Sequence, residues 1–301
     1  MSSSQDVGEM QEASSNQRPA VCFSLDCVSY SKIEAYPTRE SIQALGKITF
    51  LEPALEQDQC LDVGCGPGGF TRNYLLDYCR PCRKIVAVDK DVSMIERARE
   101  VSAHPNITYD ILDIESPDIT AFRDKHGKFR RVLSFFCFHI VKDNLAAYRN
   151  VAQLLEPGGE CAVVSCVNLV IADIWLQVYN MDQWKAYIPD PRVVFSDSFH
   201  FNQDKPTAEV EREVKNLVEK AGLRCVKYEA YYTEWLYPGL DAIVDFFVSI
   251  FNLEVNVAQP ERDAFRKTWR DILEHKTTAT PSGRKLKFRI SVLHARRINS
   301  S

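Results

Sequence analysis

Leu61-Asp62-Val63-Gly64-Cys65-Gly66-Pro67-Gly68-Gly69 is the stretch on which the fold turns. It follows the apolar run 60–63 and precedes an amphipathic segment over 70–78, so it reads as the turn from a strand into a helix. Glycines let a backbone bend sharply and approach a ligand with no Cβ in the way. Gly64, Gly66 and Gly69 satisfy a G-x-G-x-x-G spacing, and Asp89 stands about twenty residues further on, as in a dinucleotide-binding fingerprint. That match alone does not separate one nucleotide cofactor from another. An acid ending the second strand grips ribose hydroxyls in either case.

Three neighbouring features narrow the choice. Asp62 precedes the first glycine by two residues, a placement that suits an ammonium group better than a pyrophosphate. A second acid, Asp113, follows the third expected strand, where it could accept a hydrogen bond from an adenine amino group. The run Leu155-Glu156-Pro157-Gly158-Gly159 turns a helix directly into another strand.

Outward from the loop the chain alternates. Runs at 85–88, 132–138 and 161–166, with a further candidate at 107–112, are apolar on both faces, as a parallel sheet between two helix layers requires. Helical spacing intervenes at 70–78, at 92–101 behind an Asp91 cap, and at 145–155. A leading helix is expected around Ile42, Leu45 and Ile48, opening at Pro37 and Thr38. This pattern predicts a doubly wound α/β fold.

Beyond residue 166 an aromatic-rich segment runs to Phe201, expected to be helical around 175–187. A helix at 209–221 stopped by Gly222, a strand at 225–233, and helices at 241–251 and 262–275 follow. In the last element Leu286, Phe288, Ile290 and Val292 alternate with Lys287, Arg289 and Ser291, which predicts an edge or antiparallel strand.

Lys and Arg number 37 against 41 for Asp and Glu, a formal charge of -4, so no global pull toward nucleic acid exists. The basic clusters 123–131 and 284–297 read as solvated surface. Residues 1–28 read as a disordered tail without a signal peptide. No apolar run is long enough for a membrane span, which points to a soluble, cytoplasmic protein. Cys60, Cys137, Cys161, Cys166 and Cys225 fall in expected strands as small hydrophobes. Cys79-x-x-Cys82, with Cys22 and Cys27 in reserve, lacks the spacing of a metal site and reads as reduced thiols; no metal is expected.

Together the glycine loop, the three acids and the Pro-Gly-Gly turn resemble the class I S-adenosylmethionine-dependent methyltransferases over residues 60–166. The resemblance implies a Rossmann-like, seven-stranded, mostly parallel sheet with one antiparallel strand and helical cap insertions near 167–206 and 237–283 of a domain spanning 29–301. It implies S-adenosyl-L-methionine as cofactor, with Asp62, Gly64, Cys65 and Gly66 near its methionine part and Asp89 on the ribose. Asp113 and Ile114 would flank the adenine, with Lys90, Met94 and Phe135 lining the same pocket.

The run 131–141, the aromatic insert and the stretch 237–247 resemble, more narrowly, arthropod juvenile hormone acid O-methyltransferases, which esterify farnesoic acid or its epoxide. Two positions depart from that pattern. Ile140 stands where the family has tryptophan, and Pro37 where it has glutamine, both expected to hold the substrate carboxylate. Neither replacement offers a side-chain donor.

His139 is the candidate base should the acceptor be a hydroxyl or amine, and is otherwise a structural bridge. Phe136 and Ile140, with Trp175, Tyr179, Trp184, Tyr187, Tyr232, Trp235 and Phe247, are expected to line an elongated pocket for a small hydrophobic acceptor, the favoured one being a carboxylic acid. Methyl transfer to another acceptor, a cofactor-binding homologue without turnover, and a nicotinamide-dependent oxidoreductase are the competing readings. Oligomeric state is not legible.

Overall fold

The computed structural model describes residue 30 and residues 34–168, 170–197 and 205–298. The tail expected over 1–28, with Cys22 and Cys27, lies outside them, as does the end of the aromatic segment at 198–201.

In chain order the elements are α1 (Ala35–Leu45), β1 (Gln59–Val63), a π-helical turn (Thr71–Leu75) running into α2 (Leu76–Tyr78), β2 (Lys84–Asp89), α3 (Val92–Val101), β3 (Ile107–Ile111), α4 (Thr120–His126) and β4 (Phe129–Phe135). A 3₁₀ turn (Phe138–Ile140), α5 (Asn144–Leu154), β5 (Leu155–Asn168) and α6 (Val170–Tyr179) follow. The chain then forms α7 (Thr207–Lys220), β6 (Leu223–Tyr237), α8 (Leu240–Ile250), α9 (Arg262–Lys276), β7 (Thr278–Thr280) and β8 (Gly283–Arg297).

The sheet order is β3-β2-β1-β4-β5-β8-β6, with the short β7 paired to β8. The strands from β3 to β5 run parallel to their neighbours, and β8 is antiparallel to both β5 and β6. This is the expected doubly wound sheet, extended by the β7–β8 hairpin. Both faces are buried. Leu61, Val63, Val86 and Val88 pack toward α4, α5 and α7, while Cys60, Ile85, Ala87 and Leu133 pack toward α1, α2 and α3. A third cluster, built from α6, α8, α9 and the ends of β6 and β8, covers the region beyond β4 and β5. Among the described residues no helix is long and apolar enough to cross a membrane.

Several local expectations need correction. The helix sought at 175–187 ends at Tyr179, where Asn180 and Asp182 favour turns over a further helical turn. The β4 strand stops at Phe135 because Phe136 adopts φ +54°, so His139 and Ile140 lie on the 3₁₀ turn and not in the strand. The inward face of α1 carries Pro37, Glu40, Ser41, Ala44 and Leu45, leaving Ile42 exposed.

The last strand is antiparallel but interior, since β6 lies outside it. Its polar face is covered only in part, with Lys287 exposed. Arg289 is buried and donates to the Lys205 carbonyl (2.5 Å) and Thr207 Oγ1 (2.7 Å), at the start of α7. Arg131, in the other basic cluster, is also buried, its guanidinium 4.0 Å from the Phe50 ring centre. Cys60, Cys161 and Cys166 are buried as expected, while Cys137 and Cys225 are half-buried, Cys137 lying past the end of β4.

One buried pair ties the chain before β1 to the centre of the sheet. Glu160 accepts from the Leu51 and Glu52 amides (2.9 and 3.2 Å) and bonds His294 Nε2 at 2.7 Å. Burial pushes the Glu160 carboxyl up, but His294 and the two amides outweigh it and hold the group below its usual range. Glu160→Ala should cost about 3 kcal/mol of stability, because it strands buried His294 and two part-buried amides. Denaturant unfolding measures this. The native pair should weaken as pH falls through the depressed Glu160 value, a loss the variant should lack.

Candidate functional site

The parallel strands all end at one edge of the sheet, and the residues just past each end face a common cavity. Val63 and Gly64 come from β1, Asp89 from β2, Leu112 to Glu115 from β3, and Phe135 to Cys137 from β4. The glycine loop is pinned to β2 by bonds from the Gly64 and Cys65 amides to the Val88 carbonyl (2.8 and 2.9 Å). Gly64 has φ +76°, and a Cβ there would sit 2.5 Å from Cys137 Sγ. Only glycine lets the first and fourth loops meet so closely.

Asp89 sits at the mouth of this cleft with both oxygens oriented by backbone. The Gly66 amide donates to Oδ2 and the Asp91 amide to Oδ1, each at 3.0 Å. Burial raises its pKa, and the two amides partly offset that. Each oxygen keeps a lone pair for a vicinal diol. The apolar walls Val63, Met94, Leu112, Ile114 and Phe135 form a slot suited to a flat base. Asp113 is exposed at its rim, where the Glu115 amide fixes one oxygen at 3.1 Å. Lys90 spans the mouth toward Glu115 at 3.8 Å.

A second cavity continues past the loop, lined by Asp62, Gly64, Cys65 and Phe70 with Pro37, Thr38 and Ser41 of α1. Asp62 is buried and accepts from Thr71 Oγ1 at 2.6 Å. Its pKa is raised to about 7, first by burial, with Thr71 opposing and Asp89 adding to the rise. The Glu34 carboxylate stands within 3.1 Å of where a Gly69 Cβ would lie, and burial raises its pKa too. Two acids at the glycine turn occupy ground where a pyrophosphate needs donors. An amino-acid ammonium fits them.

A third cavity, above β4 and β5, is lined by Pro37, Phe136, His139, Ile140, Cys166, Trp235 and Phe288, with Phe246, Phe247, Ile250 and Phe251 from α8 and its end. Tyr30 and Phe136 line all three cavities, which makes them one connected system. The left-handed φ of Phe136 is unusual for a bulky residue, and it aims the ring into this junction.

All ten residues expected at the cofactor line the first two cavities: Gly64, Gly66, Asp89, Lys90, Met94, Asp113, Ile114 and Phe135 in the first, Asp62 and Cys65 in the second. Of those expected at the acceptor, Phe136, Ile140, Trp235 and Phe247 line the third. Trp175, Tyr179 and Trp184 do not. Trp175 is fully buried, bonded to the Pro189 carbonyl at 2.9 Å, and packs on Phe195 and Phe251. Trp184 bonds Thr268 Oγ1 at 3.1 Å and packs on Phe265. Tyr179 and Tyr187 lie against the outer side of that cluster, and Tyr232 is exposed beneath Lys287. These rings build the cap and do not face the cavity. His139 borders the cavity; its Nδ1 is buried without a partner among the described residues, and burial lowers its pKa to about 4.

Sequence reasoning missed Tyr30, Thr38, Ser41 and Thr71. A lone aromatic before α1 was the one signal for Tyr30, and no spacing links Thr71 to Asp62.

Asp62 must ionise to receive an ammonium, so affinity for S-adenosylhomocysteine should fall as pH drops below about 7. The slope should approach about tenfold per unit, since binding then releases a proton. Calorimetry in buffers of different ionisation enthalpy reads that proton. Asp62→Asn should bind more weakly and without the slope; an unchanged slope would contradict the assignment.

Comparison with known proteins agrees with this geometry. A methyltransferase-domain family matches residues 60–159, the span from β1 to the turn opening β5. Juvenile hormone acid O-methyltransferase of Bombyx mori is 24% identical over 204 residues, covering 67% of this chain and 70% of that protein. The Drosophila melanogaster protein of the same name is 27% identical, covering 44% and 45%, and trans-aconitate 2-methyltransferase of Afipia carboxidovorans is 31% identical, covering 46% and 49%. Among solved structures, the YcgJ protein of Bacillus subtilis superposes with a TM-score of 0.51 at 13% identity, covering 88% of this chain and all of that one. The [4+2]-cyclase SpnF does so at 0.50 and 15%, covering 87% and 82%, which shows the fold and not the reaction. The matched domain, the strand order and the cavity along the strand ends make this chain an S-adenosylmethionine-dependent methyltransferase of the class I fold.

Proposed function

We propose that the chain methylates the carboxylate of a small hydrophobic acid. One observation carries the proposal: the acceptor cavity is aromatic and aliphatic, and burial disfavours the charged form of each titratable group that lines it among the described residues, Tyr30, His139 and Cys166. Burial holds His139 down at about 4 and pushes Tyr30 and Cys166 up. A hydroxyl or ammonium acceptor must give up a proton, and a base with so low a pKa takes one poorly at neutral pH. A carboxylate arrives already ionised.

Bound S-adenosylmethionine supplies an electrophilic methyl group on a sulfonium. The chain's own part is alignment and exclusion of water. Phe136, Ile140 and Tyr30 border both the nucleoside cavity and the acceptor cavity, so a group held between them lies within reach of either. Holding two reactants in line supplies much of the acceleration in a direct displacement. The attraction of an anion for a cation strengthens where rings replace water.

The Bombyx mori and Drosophila melanogaster relatives are named for O-methylation of an acid, which supports the same class of acceptor. Pro37 and Ile140 both line the acceptor cavity, so the two departures from that family's pattern fall where the acid would be held. With neither side chain donating, the preferred acid here should differ from that of the relatives.

Labelled methyl transfer to a panel of fatty, terpenoid and aromatic acids, alcohols and amines tests the proposal. Acids should be methylated; products from alcohols or amines alone would refute it. His139→Asn should lower turnover by less than about tenfold, whereas loss of a true general base costs about 10²–10⁴-fold. Ile140→Trp, checked for intact cofactor binding, should raise acid turnover by adding an indole donor.

A further inference from the structure

Glu40 is a charged residue with no part in the chemistry so far, and it is wholly buried. It lies on α1, next to Ser41 and one turn from Pro37 and Thr38, which line the cavity for the methionine part. Its Oε1 gathers three donors from two elements. Arg39 Nη2 of its own helix lies at 2.8 Å, Thr233 Oγ1 of β6 at 3.0 Å, and Trp235 Nε1 of β6 at 3.2 Å. Trp235 turns its ring into the acceptor cavity and packs on Phe288 with centroids 4.4 Å apart.

Other contacts join the same two elements. Tyr36 stacks on Trp235 and Tyr237, at 5.3 and 4.8 Å, and donates to the Leu236 carbonyl at 2.9 Å. Arg39 also reaches the Glu234 carbonyl at 3.1 Å. The surface of α1 alone would not require an acid here. A carboxylate inside a protein is costly unless bonded, and one of the groups that bond this one, the Trp235 indole, belongs to the acceptor wall.

We propose that Glu40 is a positioning residue that couples cofactor binding to acceptor binding. The inference rests on the cofactor and acceptor cavities assigned above. A methionine tail seated against Thr38 and Ser41 orders α1. Through Glu40 that order passes to the Trp235 indole, so the acceptor meets a wall already in place. Coupling of this kind is reciprocal, and the acceptor should tighten cofactor binding by the same factor.

The test measures the affinity of the panel acid that is methylated fastest, with and without saturating S-adenosylhomocysteine, in the full chain. The native protein should show a gain of about tenfold. Glu40→Gln keeps an oxygen for Trp235 and Thr233 and should retain the gain. Glu40→Leu should bind each ligand alone, with the gain reduced to less than about twofold. Thr233→Val removes one donor at nearly constant volume, and Trp235→Phe removes the indole donor with a smaller ring; each should reduce the gain, and they carry the test if Glu40→Leu does not fold.

Normal coupling in folded Glu40→Leu, or in both donor variants, would overturn the proposal and leave the site assignments standing. So would a native protein that binds both ligands independently. A native protein that fails to bind S-adenosylhomocysteine, or that binds no acid of the panel, would overturn the underlying cavity assignment as well.

Discussion

The ends of β1 and β4 meet at Gly64 and Cys137 with no room for one more carbon atom between them. That closeness decides the rest. Because the first loop folds flat against the fourth, the cleft along the strand ends is narrow, and Asp62, Asp89 and the rim residue Asp113 open onto adjoining stretches of it. The Val88 carbonyl, taking two amides from the loop, keeps it there. Burial then sets the electrostatics, raising Asp62 to about 7 and Asp89 above its usual value, so each carboxylate gains from a polar or positive partner that replaces the water it has lost. Such a place favours an ammonium group and a sugar diol over a pyrophosphate.

The acceptor half follows a different physical logic. The α6, α8 and α9 cap has its own apolar core, in which Trp175, Trp184 and Trp269 are wholly buried. Its inner surface, from Phe246 to Phe251, meets Trp235 and Phe288 from the sheet to form the third cavity. The division of labour is clear: tryptophans in the cap's interior give it rigidity, and phenylalanines on its inner face give the cavity its apolar walls. Among the described residues the one imidazole at that wall, His139, has its pKa lowered to about 4 by burial, which makes it a weak base.

How much of this was legible in the sequence depended on range. The glycine loop, Asp89 and the alternating strands and helices are local patterns, and they predicted the sheet and ten of the residues that line the first two cavities. Features set by packing across the chain were not legible. Alternation in the last strand correctly gave its two faces, but only the strand order reveals that β6 pairs its outer edge, and only packing that Arg289 is buried against the start of α7. Aromatic residues are equally apolar whether they fill a core or face a cavity, so Trp175 and Trp184 could not be told from Trp235. Nothing in the local sequence marks Glu40, because its partners Thr233 and Trp235 lie nearly two hundred residues away in sequence.

The account stands or falls on what the cleft past β1 and β2 holds. A crystal structure of the full chain with S-adenosylhomocysteine measures this directly. The ligand's ammonium should lie against Asp62, its ribose hydroxyls on Asp89 and its adenine between Met94 and Ile114, with the sulfur facing Phe136 and Ile140. A ligand bound elsewhere, or with its ribose turned away from Asp89, would contradict it.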